Sequence, residues 1–206
     1  MQKRIGAEQW LELIQSRRSI RRFQPDIVPS EIIEKLLDAA NWAPSAHNRQ
    51  PWRFAVIADP ELKQYLASTM GARLREDLMA DGLAEETIER DVTRSYRRIT
   101  SAPLLILVCL SMEDMDRYSD DRRQQHENTM AIQSTAMAGQ NLLLAAQALD
   151  IGACWMCAPL FCPEAVKGCL QLPATWQLQG LIAVGYPAET WEKTRRPIAE
   201  LIKYRP

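Results

Sequence analysis

The sequence predicts an α+β fold, a sheet of apolar strands covered by helices, and three segments carry that expectation. Pro103-Leu104-Leu105-Ile106-Leu107-Val108-Cys109-Leu110 is a nearly continuous apolar run, the pattern of a strand buried on both faces. Leu178 to Tyr186 is a second core strand, stopped by Pro187. Gln125 to Leu149 is a long stretch of strong helix formers without proline, and Ala131, Ala138, Gly139 and Ala145 spread small residues over several of its faces. Small residues admit close neighbours, so this helix belongs at the centre or at a subunit interface.

The remaining elements follow in chain order. Ala7 to Gln15 places Trp10, Leu11, Leu13 and Ile14 at helical spacing and leads into an arginine cluster. Ser30 is expected to cap a helix whose first turn holds Glu31 and Glu34, and Ile32, Ile33, Leu36, Leu37 and Ala40 form its apolar stripe. Trp52 to Ala58 reads as a strand, stopped by Asp59-Pro60. Glu61 to Thr100 is helical and heavily charged, with a break near Asp81-Gly82, and is expected to contribute little core. It is read as a solvated excursion or as a cover over a site. Gly152 is expected to close the long helix, Ala153 to Cys157 to begin a short strand or loop, and Pro163 to Leu170 to form one more helix. The tail from Trp191 to Pro206 joins Lys193, Arg195 and Arg196 to apolar Ile198, Leu201 and Ile202.

Composition excludes several classes of function. The 206 residues are 47% hydrophobic, enough for a full core, and 25 basic against 26 acidic side chains leave no global field for nucleic acid or an anionic membrane. The N-terminus lacks the apolar core of a secretory signal, and no run of about 18 apolar residues marks a membrane span. A soluble, cytoplasmic protein is the expectation. Five cysteines, an odd number with Cys109 inside an apolar run, suit reduced thiols. Cys154, Cys157, Cys162 and Cys169 can be read as metal ligands, but they lack the paired knuckles of a zinc ribbon, and their apolar neighbours suit burial. With only His47 and His126 available and no glycine-rich nucleotide fingerprint, a His-based metal site, a catalytic triad and a Rossmann cofactor site have little material.

Two blocks carry the chemistry. Arg17, Arg18, Arg21 and Arg22 surround Ser19, and forked guanidinium groups match phosphate oxygens, although such a quartet seen alone is more often a solvated face. A second basic group, Lys193-Thr194-Arg195-Arg196, lies far away in sequence, and its convergence on the same phosphate is an expectation that no spacing dictates. The block from Pro44 to Trp52 offers Ser45 and Asn48 either to a polar heterocycle or to the backbone of its own turn. Arg122, Arg123 and the segment Arg94 to Arg98 are further candidates for substrate contacts.

Taken as a set, Arg-Arg-Ser-x-Arg, Pro-Ser-x-x-Asn-x-Gln-Pro-Trp, the long Ala-rich helix and the final Lys-x-Arg resemble the nitroreductase family over nearly the whole chain. The resemblance implies a nitroreductase-like α+β fold in one domain, residues 1–206, with a central, mostly antiparallel sheet flanked by helices. It also implies an intertwined homodimer with a C-terminal extension. FMN is the implied cofactor, its phosphate and ribityl chain held by Arg17, Arg18, Ser19 and Arg21, joined by Lys193 and Arg195. Pro44, Ser45 and Asn48 are implied to reach the isoalloxazine from the partner subunit. Trp155, Met156 and Cys157 correspond to the stretch near flavin N5, where a backbone amide donates a hydrogen bond.

The implied activity is ping-pong reduction of nitroaromatics, quinones or conjugated enones by NAD(P)H. The flavin carries the chemistry, and no side chain is assigned as catalytic. The stretch after Trp155 is similar to the flavin domain attached to deazaflavin-coenzyme glutamyl ligases. A flavin- or deazaflavin-binding or processing protein without NAD(P)H turnover is the alternative.

Overall fold

The computed structural model describes residues 6–190 and 192–204; the N-terminal stretch read from Met1 and the tail positions Trp191 and Pro206 lie outside the described residues. In chain order the elements are α1 (Ala7–Ser16), α2 (Ser30–Asn41), β1 (Trp52–Ile57), α3 (Pro60–Ala80), α4 (Glu85–Thr100), β2 (Leu104–Ser111), α5 (Asp121–Ala148), β3 (Gly152–Met156), α6 (Pro163–Leu170) and β4 (Trp176–Gly185). The strands form one antiparallel sheet in the order β1-β2-β4-β3.

The apolar run of β2 is explained by its two covered faces. Leu104, Ile106 and Val108 point into a core with Leu36 of α2 and Ala138 and Leu142 of α5. Leu105, Leu107 and Cys109 point the other way, into a core with Leu66 and Met70 of α3 and Val166 of α6. All eight residues of β2 are buried, and each large aliphatic side chain removed from water contributes about 1.5–3 kcal/mol.

The charged stretch after Glu61 does build core. Leu66, Ala67 and Met70 on α3 and Ile88 and Ile99 on α4 are buried, while the charges occupy the outer surfaces of the two helices. A narrow stripe at helical spacing is enough to seat a helix, even where charged residues outnumber it.

The boundaries shift in three places. Ser30 is the first helical residue, with Pro29 at the cap. Helix α5 starts earlier than Gln125, because the Asp120 carboxylate accepts the Arg123 N–H at 3.0 Å. Gly152 does not end α5; Asp150 turns the chain in the left-handed region at φ 56°, and Gly152 opens β3. A Cβ on Gly152 would stand 2.9 Å from Ile20 Cγ2 and 3.2 Å from the Gly185 carbonyl, so glycine serves close approach there. Among the described residues, no helix is long and apolar enough to cross a membrane.

Candidate functional site

The arginine segment is laid along the outer edge of the sheet. After α1 the chain becomes extended, the Ile20 N–H donates to the Ala153 carbonyl at 3.1 Å, and Ser19 bridges to Ala153 of β3. The Gln24 N–H then reaches the Tyr186 carbonyl at 2.9 Å, and the Ala188 N–H reaches the Arg22 carbonyl at 3.0 Å. These bonds fix Arg17, Ser19 and Arg21 beside the strand that carries Cys154, Trp155 and Met156.

The basic tail returns to the same place. Burial holds the Arg17 guanidinium below its ordinary pKa, and repulsion from Arg195 and then Arg18 lowers it further. Burial likewise pushes the Cys154 thiol up, opposed by the positive charges of Arg21, Arg98, Arg17 and Lys193. Arg17, Arg21, Lys193 and Arg195 therefore share one electropositive region around Cys154. Among the described residues, neither Arg17 nor Arg195 forms an ion pair with a carboxylate. Arg18 departs from the group: its Nη1 donates to the Gln15 carbonyl at 2.5 Å and the Arg17 carbonyl at 3.0 Å, and the residue lines a different cavity together with Asp150.

Beside this region lies a cavity of about 450 Å³, walled by Leu78 of α3 and Arg94 and Arg98 of α4, with Trp155, Met156 and Cys157 on the sheet side. The Trp155 indole is wedged between helix and sheet. A Cβ on Gly139 of α5 would fall 2.3 Å from Trp155 Cζ3, and one on Gly180 of β4 would fall 2.4 Å from Cε2. Trp155 Nε1 donates to Cys157 Sγ at 3.2 Å, and Cys157 itself is exposed.

Within one chain, the Pro44–Asn48 block does not meet the arginines. Ser45 Oγ accepts the Gln50 N–H at 3.0 Å, Asn48 Oδ1 accepts from Gln50 Nε2 at 3.2 Å, and the Ala46 N–H is anchored to Ser134 Oγ of α5 at 3.2 Å. Asn48 lines a separate cavity with Glu113 and Asp114, and Pro44 is exposed. His47, Asn48 and Gln50 all adopt left-handed backbone, at φ 50°, 55° and 50°. Asparagine tolerates that region, but histidine and glutamine enter it at a cost of about 1–3 kcal/mol each, and such strain concentrates at binding sites.

The other candidates separate. Arg123 pairs with Asp120 and lies 5.0 Å from the Tyr118 ring centroid, at the start of α5. Arg94 and Arg98 do face the cavity. Arg90 lines a neighbouring cavity with Arg94, Arg97 and Arg98 and was not among the candidates, although its spacing from them marks one face of a helix.

The structure is an α+β fold with one antiparallel sheet flanked by helices, and comparison with known proteins gives the family. The Nitroreductase family model matches residues 14–186, and the chain belongs to that family. An NADH dehydrogenase of Thermus thermophilus is 30% identical, over 92% of this chain and 92% of its own. A Desulfovibrio desulfuricans protein of nitroreductase type, crystallised in complex with FMN, is 30% identical with a TM-score of 0.73, covering 98% of this chain and 99% of that one. A BluB-like flavoprotein from Clostridium difficile shares the fold with a TM-score of 0.78 at 24% identity, over 95% of this chain and 98% of that one.

Proposed function

We propose that this protein is an NAD(P)H-dependent FMN oxidoreductase that reduces electron-poor acceptors such as nitroaromatics, quinones or conjugated enones. The observation that carries the reading is the convergence of Arg17 and Arg195, a partly buried cation and its repelling neighbour, neither paired with a carboxylate among the described residues. A phosphate dianion relieves that repulsion, and guanidinium forks suit its oxygens. The donor set therefore fits FMN. Arg17, Arg21, Lys193 and Arg195 hold its phosphate, Ser19 lies beside them on the strand edge, and Arg18 orients the turn that follows α1. Met156 and Cys157 border the cavity where the ring would lie, with Trp155 wedged behind them to keep that wall rigid.

Bound FMN supplies two-electron transfer between donor and acceptor. The chain's own residues position the partners. A cavity of about 450 Å³ leaves room for one further ring stacked on the flavin, which favours successive occupancy by NAD(P)H and then acceptor, a ping-pong order.

The site is completed by a second copy of the chain in this reading. Pro44, Ser45 and Asn48 stand away from their own arginine cluster and would serve the partner's. Exposed apolar residues support a homodimer: Trp10, Leu11 and Ile14 on α1, Met137 on α5, and Ile198 and Leu201 in the tail.

The test is the visible spectrum of natively purified protein, with the released cofactor identified by chromatography. FMN that bleaches under anaerobic NADPH or NADH and regains colour with a quinone is the expected result. Protein that is colourless and fails to bind added FMN overturns the proposal, while bound flavin that neither nucleotide bleaches points to a flavin-binding or flavin-processing role.

A further inference from the structure

A second and larger cavity, about 750 Å³, lies between α4 and the Arg21–Arg22 segment. Six arginines line it: Arg21, Arg22, Arg90, Arg94, Arg97 and Arg98. Its two glutamates are already engaged. Glu89 pairs with Arg75, and Glu189 accepts the backbone N–H groups of Arg21 at 2.7 Å and Arg22 at 3.2 Å and lies 3.7 Å from Arg22 Nε. Asp91 serves Arg90 at 3.3 Å and Arg94 at 3.0 Å. Among the described residues, Arg21, Arg97 and Arg98 form no ion pair with a carboxylate.

This cavity is joined to the one at Trp155, because Arg21, Arg94 and Arg98 line both. The pair makes a trough with a ring-sized end beside Met156 and Cys157 and a strongly cationic end on α4. A compact acceptor would occupy the first end alone. A ligand that fills both has a flat reactive ring at one extremity and several anionic groups at the other, and a phosphomonoester, with nearly two charges and three acceptor oxygens, can serve several arginine forks where one carboxylate serves fewer. With Arg21 given to the FMN phosphate, five arginines remain on this cavity against Glu189 and Asp91, and the pyrophosphate of a nicotinamide dinucleotide supplies only part of the negative charge they call for.

We propose that the α4 arginines bind the adenosine 2′-phosphate of NADPH, so that NADPH is the preferred reductant over NADH. The inference rests on the FMN reading above and assigns its electron donor. Arg97, exposed and facing the cavity, is the specificity residue with the least other work to do.

Calorimetry and steady-state kinetics on the FMN-loaded protein test it together. Adenosine 2′,5′-bisphosphate is expected to bind at least about tenfold more tightly than AMP, the scale of one charge-assisted contact. Wild-type kcat/KM is expected to favour NADPH, and R97A to lower it at least about tenfold for NADPH while lowering it less for NADH. Unchanged thermal unfolding of R97A keeps the comparison free of misfolding, and R94A provides a second variant on the same face. Equal binding of the bisphosphate and AMP, or equal losses for both dinucleotides, overturns the proposal. A yellow protein reduced equally well by NADH and NADPH defeats this inference alone. A colourless protein defeats the FMN reading, and bisphosphate binding to it still reports whether the α4 arginines recognise a phosphomonoester.

Discussion

The Trp155 indole occupies the space that a methyl group on Gly139 or Gly180 would need, so two distant positions are fixed as glycine by one aromatic ring. Gly180→Ala is expected to cost about 1–3 kcal/mol in urea unfolding through overpacking, and to loosen flavin retention because the wall at Met156 and Cys157 moves with the ring. Arg17 is a binding residue on the proposed reading. Arg17→Ala is expected to weaken FMN retention by about 1.5–3 kcal/mol, measured by fluorescence titration, and unchanged affinity would remove it from the site. The cysteines set an alkaline limit. Burial pushes the Cys109 thiol up to about 12 from an ordinary value of 9.0, and Cys154, Cys162 and Cys169 are shifted in the same direction. A raised thiol pKa contributes stability that is complete below the unfolded value and lost as pH climbs from about 9 toward the folded one. Urea midpoints are therefore expected to fall between about pH 9 and 10.5, less steeply in Cys109→Ala, and a flat profile contradicts the burial argument.

At the scale of elements, α3 and α4 are tied together by a buried lysine. Lys63 Nζ donates to the Ala102 carbonyl at 2.7 Å and the Pro103 carbonyl at 3.0 Å, closing the chain beyond α4 just before β2 begins. Burial lowers the pKa of this ammonium, and Asp59 opposes the shift. Lys63→Met leaves buried carbonyls without donors and is expected to cost about 1–3 kcal/mol, with faster hydrogen exchange at the end of α4 as the local readout. The strands and α5 were legible because continuous burial writes a continuous apolar run, as in Leu104 to Leu110. The core of α3 and α4 was not, since five buried hydrophobic residues among so many charges leave a pattern that a composition reading averages away. Gly152 misled for a related reason: glycine marks a helix end and a close approach alike, and only the contact with Ile20 separates them. Arg17 and Arg195 were readable as residue types, but their meeting depends on the path of the tail, which no local pattern encodes. Ser45 and Asn48 kept both of their readings, since each holds a turn contact with Gln50 that a partner subunit's ligand need not disturb.

For the whole molecule, both ends of the chain carry exposed apolar side chains. Helix α1 has no buried residue, and Ile198 and Leu201 of the tail are 68% and 62% exposed. A chain ending at Thr190 is expected to elute as a monomer without flavin, whereas Arg195→Ala is expected to remain a dimer with weakened flavin binding; size-exclusion chromatography with absorbance detection separates the two. A truncated chain that still dimerises and stays yellow contradicts the role given to the tail. Residues 19–24 run from Ala153 of β3 to Tyr186 and Pro187 just beyond β4. β3 is the outermost strand on its side of the sheet, and the segment bonded across it is the one that carries Arg17 and Arg21. Protein starved of its anion keeps a knot of like charges pushing against the cover of an open strand edge, and a loosened edge is a template for strand addition by another chain. Riboflavin starvation during expression would then surface first as insoluble protein rather than as soluble, inactive enzyme.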